Sequence, residues 1–207
     1  PLKSEGRIYD TMPDRIEAGS FLILGACAAK KLSITNCQPE HFEALIHALR
    51  ELGAKMKIGK DRIVVKGGRL KIPEPEYQIK THEYPGLATD LQAPFVVLLT
   101  QSEGESRIHE TIFEGRLAYT QDLVKMGANI TMWDSNRATI KGKTPLRGKE
   151  LEGPDIRAGL AFVIAAILAE GRSTISNVYL IDRGYESVEK RLSAIGVKIK
   201  RVVNGSR

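Results

Sequence analysis

The chain has 207 residues, 42% of them hydrophobic and 27% charged, with a formal net charge of +6. That is enough to bury one sizeable core, and the basic excess admits nucleic acid, a membrane surface or small anions as partners. The cations are scattered and aromatics make up only 6%, which argues against nucleic acid; the longest near-apolar run, Leu160 to Ala169, is too short to span a bilayer.

The first elements read as follows. Gly6 to Met12 predicts a short strand ended by Pro13, and Asp14 caps a helix running to about Ala29. Ile16, Phe21, Leu22, Ile23, Leu24, Ala26 and Cys27 cover nearly every face of that helix, so it is a buried one. Leu32 to Thr35 alternates as a strand. A second helix follows Pro39, with Phe42, Leu45, Ile46, Leu49 and Leu52 in one apolar stripe and Gly53 as its stop. Lys55–Ile58 and Arg62–Val65 form a hairpin around Gly59-Lys60-Asp61.

Gly67 to Thr81 is an extended connection ending in a strand at Tyr77–Lys80. Tyr84-Pro85-Gly86 then hands over to Thr89-Asp90, and Asp90 sits where an N-cap belongs, before a buried helix to Leu99 with Pro94 in its first turn. Ser106–His109 is a strand, Glu110–Arg116 a loop, and a helix follows that stops at Gly127. Ile130–Trp133 pairs with Ala138–Ile140. Arg147 to Pro154 reads as a turn-rich connector. Asp155 caps a third buried helix to Ala169, Ser173–Ser176 is a strand, and Tyr179–Gly184 a loop. Tyr185, Val188, Leu192 and Ile195 line a helix, and Lys198–Val203 reads as a last strand.

The three capping aspartates, Asp14, Asp90 and Asp155, recur at intervals of about 70 residues, as do the glycines Gly53, Gly127 and Gly196. The chain is therefore one domain of three repeated units, about 7–66, 77–142 and 148–203, in the α/β class. The third unit lacks a hairpin partner, so its missing strand comes from elsewhere or its sheet has an open edge. Three buried helices opened in one register bring their N-termini to one end, where free N–H groups favour phosphate or carboxylate. The loops carrying Arg116 and Arg183 border that end. By itself each Asp reads equally well as a plain cap.

Cys27 and Cys37 lie in no CxxC pair and near no clustered His, so neither a metal site nor a disulfide framework is expected, and a reducing, cytoplasmic location fits. His41, His47, His82 and His109 show no ligand or triad spacing. The chain opens on Pro1 rather than Met, and reads as the middle of a longer protein.

Four strings carry a resemblance: Met12-Pro13-Asp14-Arg15-Ile16-Glu17-Ala18-Gly19, Thr89-Asp90-Leu91-Gln92-Ala93, Glu110-Thr111-Ile112-Phe113-Glu114-Gly115-Arg116 and Ile181-Asp182-Arg183-Gly184-Tyr185-Glu186. Together, and in this order along nearly the whole chain, they resemble the UDP-N-acetylglucosamine 1-carboxyvinyltransferase family. The related shikimate-pathway transferases share the repeat architecture without these strings.

The resemblance implies an inside-out α/β barrel of three repeats per domain, the enolpyruvyl transferase-like fold. It also implies two domains with the active site between them, and no cofactor. This chain would be the C-terminal domain, completed by an N-terminal segment that crosses over. The other domain would carry the catalytic loop Cys, which neither Cys27 nor Cys37 matches, and the acid. The substrates would be UDP-N-acetylglucosamine and phosphoenolpyruvate, with no nucleic acid or membrane partner. Asp90 would be the catalytic base and contact the substrate. Arg183 would be a cation at the phosphoenolpyruvate site, and Asp155 would lie beside the reacting carbon. Ile156 and Arg157 would bind substrate nearby, Ile112 would offer backbone contacts to the nucleotide sugar, and Arg116 would support the site. Two readings compete: a basic nucleic-acid-binding module, since RNA 3′-phosphate cyclases use related repeats, and a purely structural domain.

Overall fold

A computed structural model describes residues 8, 10–74 and 77–202. The first unit consists of α1 (Arg15–Ala28), β1 (Leu32–Thr35), a 3₁₀ turn Pro39–Phe42 running into α2 (Glu43–Glu51), β2 (Lys55–Ile58) and β3 (Arg62–Lys66). The second has β4 (Gln78–Lys80), a 3₁₀ turn Thr89–Leu91, α3 (Gln92–Gln101), β5 (Gly104–His109), α4 (Thr120–Lys125), β6 (Asn129–Met132) and β7 (Arg137–Gly142). The third has β8 (Glu150–Glu152), α5 (Ile156–Leu168), β9 (Thr174–Ser176), α6 (Tyr179–Asp182) and α7 (Val188–Ala194).

Each unit makes its own sheet. The second is the fullest, in the order β4-β5-β7-β6, with β4 parallel to β5 and the rest antiparallel. The first shows β1-β3-β2, all antiparallel. The third is only the parallel pair β8-β9, and no hairpin follows it among the described residues.

The three apolar helices α1, α3 and α5 pack on one another, and α1 and α3 also pack on their own sheets. Residues Gln92 through Thr100 of α3 are all buried, which explains a segment with no polar face: every side of it meets another element. Phe95 and Phe162, from α3 and α5, have no exposed surface; burying a side chain of this size contributes roughly 2–3 kcal/mol. Cys27 fits the core reading. Its Sγ donates to the Ile23 carbonyl, and burial pushes the thiol up to about 12, so it is an unreactive packing group.

Several expected elements differ from the structure. Residues Gly6, Arg7 and Tyr9 of the first predicted strand lie outside the described residues, and its described residues 8 and 10–12 form no strand. The connector 147–154 contains β8, whose partner β9 is distant in sequence. The predicted loop 179–184 opens with the helical turn α6. Residues 198–202 form no strand, and Val203 lies outside the described residues. Arg201 instead bridges Asp182, at 2.6 and 2.7 Å, and Glu189, at 3.0 Å, so side-chain charge rather than a ladder fixes that segment.

The third unit is fastened to the first through α1. The Tyr185 hydroxyl lies 3.1 Å from Ser20 Oγ, Arg191 pairs with Glu17, and the same guanidinium lies 4.8 Å from the Phe21 ring centre. Burial pushes Tyr185 up to about 12 from the usual 10.0. A phenol whose pKa is raised on folding contributes stability that is complete below about pH 10 and is lost as the pH climbs toward about 12. Melting temperatures of the wild-type protein and Tyr185→Phe, taken at about pH 9 and about pH 11, check this. The alkaline drop is expected to be smaller in the variant; equal drops would assign the loss to other groups.

Candidate active site

Of the three repeated aspartates, two are caps. Asp14 Oδ1 accepts from the N–H groups of Ile16 and Glu17 at 2.7 and 3.1 Å. Asp155 Oδ1 accepts from Arg157 and Ala158 at 2.7 and 2.9 Å. These carboxylates occupy the first N–H groups of α1 and α5, which corrects the expectation that those helix ends stand free for an outside anion.

Asp90 differs, and the expectation that it caps α3 is corrected. It lies inside the 3₁₀ turn Thr89–Leu91, and its side chain caps nothing. Its carboxylate instead meets two guanidinium groups, Arg116 Nη2 at 3.1 Å and Arg157 Nε. Both converge on Oδ1. Among the described residues Oδ2 accepts no hydrogen bond, and the side chain keeps 30% of its surface exposed. One oxygen is thus anchored and the other is open to a ligand. Arg157 also joins the start of α5 to the start of α3, so two of the three helix openings share one ion pair.

Arg116 is the more deeply set guanidinium, with 12% of its side chain exposed. Its Nη1 donates to Thr89 Oγ1 at 2.7 Å and its plane lies 4.8 Å from the Phe113 ring centre. Thr89 passes the chain on, donating from its hydroxyl to Glu110 Oε2 at 2.8 Å. Glu110 has no exposed surface, and its Oε1 accepts from the N–H groups of Ile112 and Phe113 at 2.8 and 3.2 Å. Sequence reasoning quoted Glu110 but gave it no role. The signal was there: an acid closing an apolar strand can fold back on the next N–H groups, as Asp does at a cap.

The 110–116 loop is tied at both ends. Thr111 donates from N–H and hydroxyl to Thr81 at 2.9 and 2.6 Å. Asn136 accepts from Gly115 N–H at 3.1 Å and donates to the Glu110 carbonyl at 3.2 Å. Gly115 has φ +69, a conformation that side chains resist, and the turn it makes aims Arg116 back at Asp90. Ile112 lies on this loop with its side chain 38% exposed. Its N–H is taken by Glu110, so its carbonyl, which accepts nothing from the described residues, is the backbone group left for a ligand.

Tyr119 follows on the same turn. Its hydroxyl donates to Gln92 Oε1 at 2.9 Å, deep between α3 and α5, and its ring meets Phe162 edge-on.

Arg183 stands apart from this network. It ends α6, is exposed, and pairs with nothing among the described residues, since its neighbour Asp182 is held by Arg201. Gly184 seats the segment on α5: a Cβ there would come within 2.9 Å of Ile156 Cγ2. Ile156 is thereby the packing contact that carries Arg183 beside the opening of α5. The structure brings Asp90, Arg116 and Arg157 together, with Ile112 one hydrogen bond further through Glu110 and Thr89. It places Asp155 next to Arg157 in the chain and gives Arg183 no contact with Asp90.

Comparison with known proteins adds the following. The sequence profile of EPSP synthase (3-phosphoshikimate 1-carboxyvinyltransferase) matches residues 2–192. UDP-N-acetylglucosamine 1-carboxyvinyltransferase of Koribacter versatilis is 44% identical over 97% of this chain, and that of Desulforapulum autotrophicum is 44% identical over 92%. In both cases the match covers 45% of the relative, so the chain spans about half the length of the relatives it matches. Among solved structures, the enolpyruvyl transferase NikO from Streptomyces tendae superposes with a TM-score of 0.81 at 24% identity, covering 91% of this chain and 44% of that one. EPSP synthase from Acinetobacter baumannii gives 0.72 at 18% identity, covering 95% and 46%. The fold is that of the enolpyruvyl transferases.

Proposed function

The chain belongs to the EPSP synthase (3-phosphoshikimate 1-carboxyvinyltransferase) family, and on that premise we propose that it is one half of a UDP-N-acetylglucosamine 1-carboxyvinyltransferase. The whole enzyme moves the enolpyruvyl group of phosphoenolpyruvate to the 3′-hydroxyl of UDP-N-acetylglucosamine and releases phosphate, the entry step to peptidoglycan. The three units, about 7–66, 77–142 and 148–203, form one domain. A second domain of the same enzyme closes the site and supplies the acid. The enzyme works in the cytoplasm and needs no cofactor.

The observation that carries this reading is the Asp90 carboxylate. Oδ1 is fixed by Arg116 and Arg157 and Oδ2 is open, in a chain 44% identical to transferases of that name. A carboxylate anchored on one oxygen can take a proton on the other without leaving its place. In the proposed step Oδ2 receives the 3′-hydroxyl proton as the oxygen bonds to C2 of phosphoenolpyruvate. The C3 proton comes from the acid of the other domain. Loss of a C3 proton then restores the double bond, and phosphate leaves with the electrons of the C–O bond.

Arg183, unpaired and exposed, is the cation for the phosphoenolpyruvate phosphate or carboxylate. Asp155, Ile156 and Arg157 lie where the α5 opening meets the reacting carbon. The Ile112 carbonyl and Arg116 border the nucleotide sugar.

Phosphate release from the two substrates is the direct test. This chain alone is expected to be inactive, and this chain assembled with the N-terminal half of the same enzyme is expected to turn over. Activity of the chain alone would overturn the division of labour. An assembled but inactive pair would overturn the transferase reading.

A further inference from the structure

The start of α3 is held to the 115–119 turn by two contacts. One is charged and reaches the surface: Arg116 on Asp90. The other is neutral and buried: Tyr119 on Gln92, at 2.9 Å. Gln92 is 1% exposed, and its amide nitrogen has no partner among the described residues. A buried amide donor left unmatched lowers stability, so its place one residue beyond the 3₁₀ turn of Asp90 needs a reason.

The hydroxyl of Tyr119 decides which way that amide faces. It donates to Oε1, which turns the amide nitrogen away from Tyr119. Nothing else binds the amide, so without the hydroxyl its two ends are equivalent and it is free to turn. Burial holds the Tyr119 phenol well above its usual pKa, with the Glu110 charge adding to the shift, so it remains a donor throughout the working range. Its ring edge on Phe162, with centroids 6.5 Å apart at 64°, locks the phenol against α5 as well. The charges of Glu110, Arg116 and Asp155 all act on it, which locates it beneath the site rather than off to one side.

We propose that Gln92 and Tyr119 are positioning residues for Asp90. Their hydrogen bond is the buried rung of a two-rung clamp, and it fixes the 3₁₀ turn that presents Oδ2 to the substrate hydroxyl. Arg116 alone cannot do this, because a guanidinium at a partly exposed carboxylate can shift with it. The inference rests on the transferase reading above.

The test uses the full-length enzyme and follows kcat, KM and melting temperature together. Tyr119→Phe leaves a buried acceptor unmatched and is expected to lower the melting temperature. It is also expected to lower kcat about tenfold or more by displacing the base. KM for both substrates stays within about twofold, because no binding group is removed. The deciding variant is Tyr119→Phe with Gln92→Met. Removing both polar partners restores an apolar, matched interior and brings the melting temperature back toward wild type. If the clamp positions Asp90, kcat stays low in this double variant. Recovery of kcat along with stability would overturn the proposal, as would an unchanged kcat in Tyr119→Phe. Should Tyr119→Phe fail to fold, the double variant decides alone. An inactive wild-type enzyme would overturn the transferase reading, and this inference with it.

Discussion

Asp90→Asn in the full-length enzyme is expected to lower kcat by about 10²- to 10⁴-fold, the contribution a positioned base makes to proton transfer. The substitution keeps the shape and an oxygen that can face the guanidinium groups of Arg116 and Arg157, so the 3₁₀ turn should stand. What it removes is the proton acceptor at Oδ2 and the negative charge between two cations. KM for the nucleotide sugar is expected to hold or fall, because both guanidinium groups remain and neither is any longer neutralised by the protein. A loss confined to kcat is the mark of a group that acts in the transition state. Steady-state phosphate release with a thermal melt as the folding control measures it. A variant within about threefold of wild-type kcat would return Asp90 to a structural role, as the anchor on which two arginines meet.

The same residue shows where reading the sequence stops. Asp14, Asp90 and Asp155 stand in one register, and a local window treats them alike. Asp14 and Asp155 do cap, because the chain enters each helix from an extended residue, at φ −70 and φ −158, and the carboxylate turns back onto the first N–H groups. Before α3 the chain is already wound into a 3₁₀ turn, so Asp90 has no such N–H in reach and its carboxylate turns outward. Its partners Arg116 and Arg157 come from the neighbouring loop and from the third unit. No periodicity or capping rule contains that choice; only the packing of α3 against α5 does.

Buried apolar helices were legible for the opposite reason. A run such as Ala93 to Leu99 states its environment on every face, and a helix is the only way to bury it that satisfies its own backbone. Short strands carry less of their own cause. Glu150-Leu151-Glu152 becomes β8 only because β9 lies alongside, whereas Lys198 to Val202 alternates better and pairs with nothing among the described residues. Strand identity there belongs to the partner, and a partner distant in sequence leaves no local mark. Glu110 escaped notice because its importance is a count of donors converging on it, which exists only once the 110–116 loop has closed.

That closure makes Glu110→Ala the largest stability loss expected in this half of the site. Three donors converge on the carboxylate: the Thr89 hydroxyl and the N–H groups of Ile112 and Phe113. With Glu110 fully buried, truncation leaves those donors facing a cavity. A buried donor left unmatched costs about 1–3 kcal/mol, and donors released together usually recover part of that by relaxing. About 3–5 kcal/mol is therefore expected, the range seen when one partner of a buried ionic network is removed. Glu110→Gln separates charge from shape. Its carbonyl oxygen can still accept from Ile112 and Phe113, but its NH₂ then faces Thr89, whose oxygen already receives Arg116 at 2.7 Å. Thr89 must accept twice and leave its own proton unmatched, a cost of about 1 kcal/mol. Denaturant unfolding of the two variants should thus rank wild type above Gln and Gln well above Ala. The activity order should follow the same chain, since Thr89 is the link between Glu110 and the Arg116–Asp90 pair. If Ala and Gln unfold at the same midpoint, the loop is held by Thr81 and Asn136 rather than by Glu110. Asp90 would then owe its placement to the helices alone.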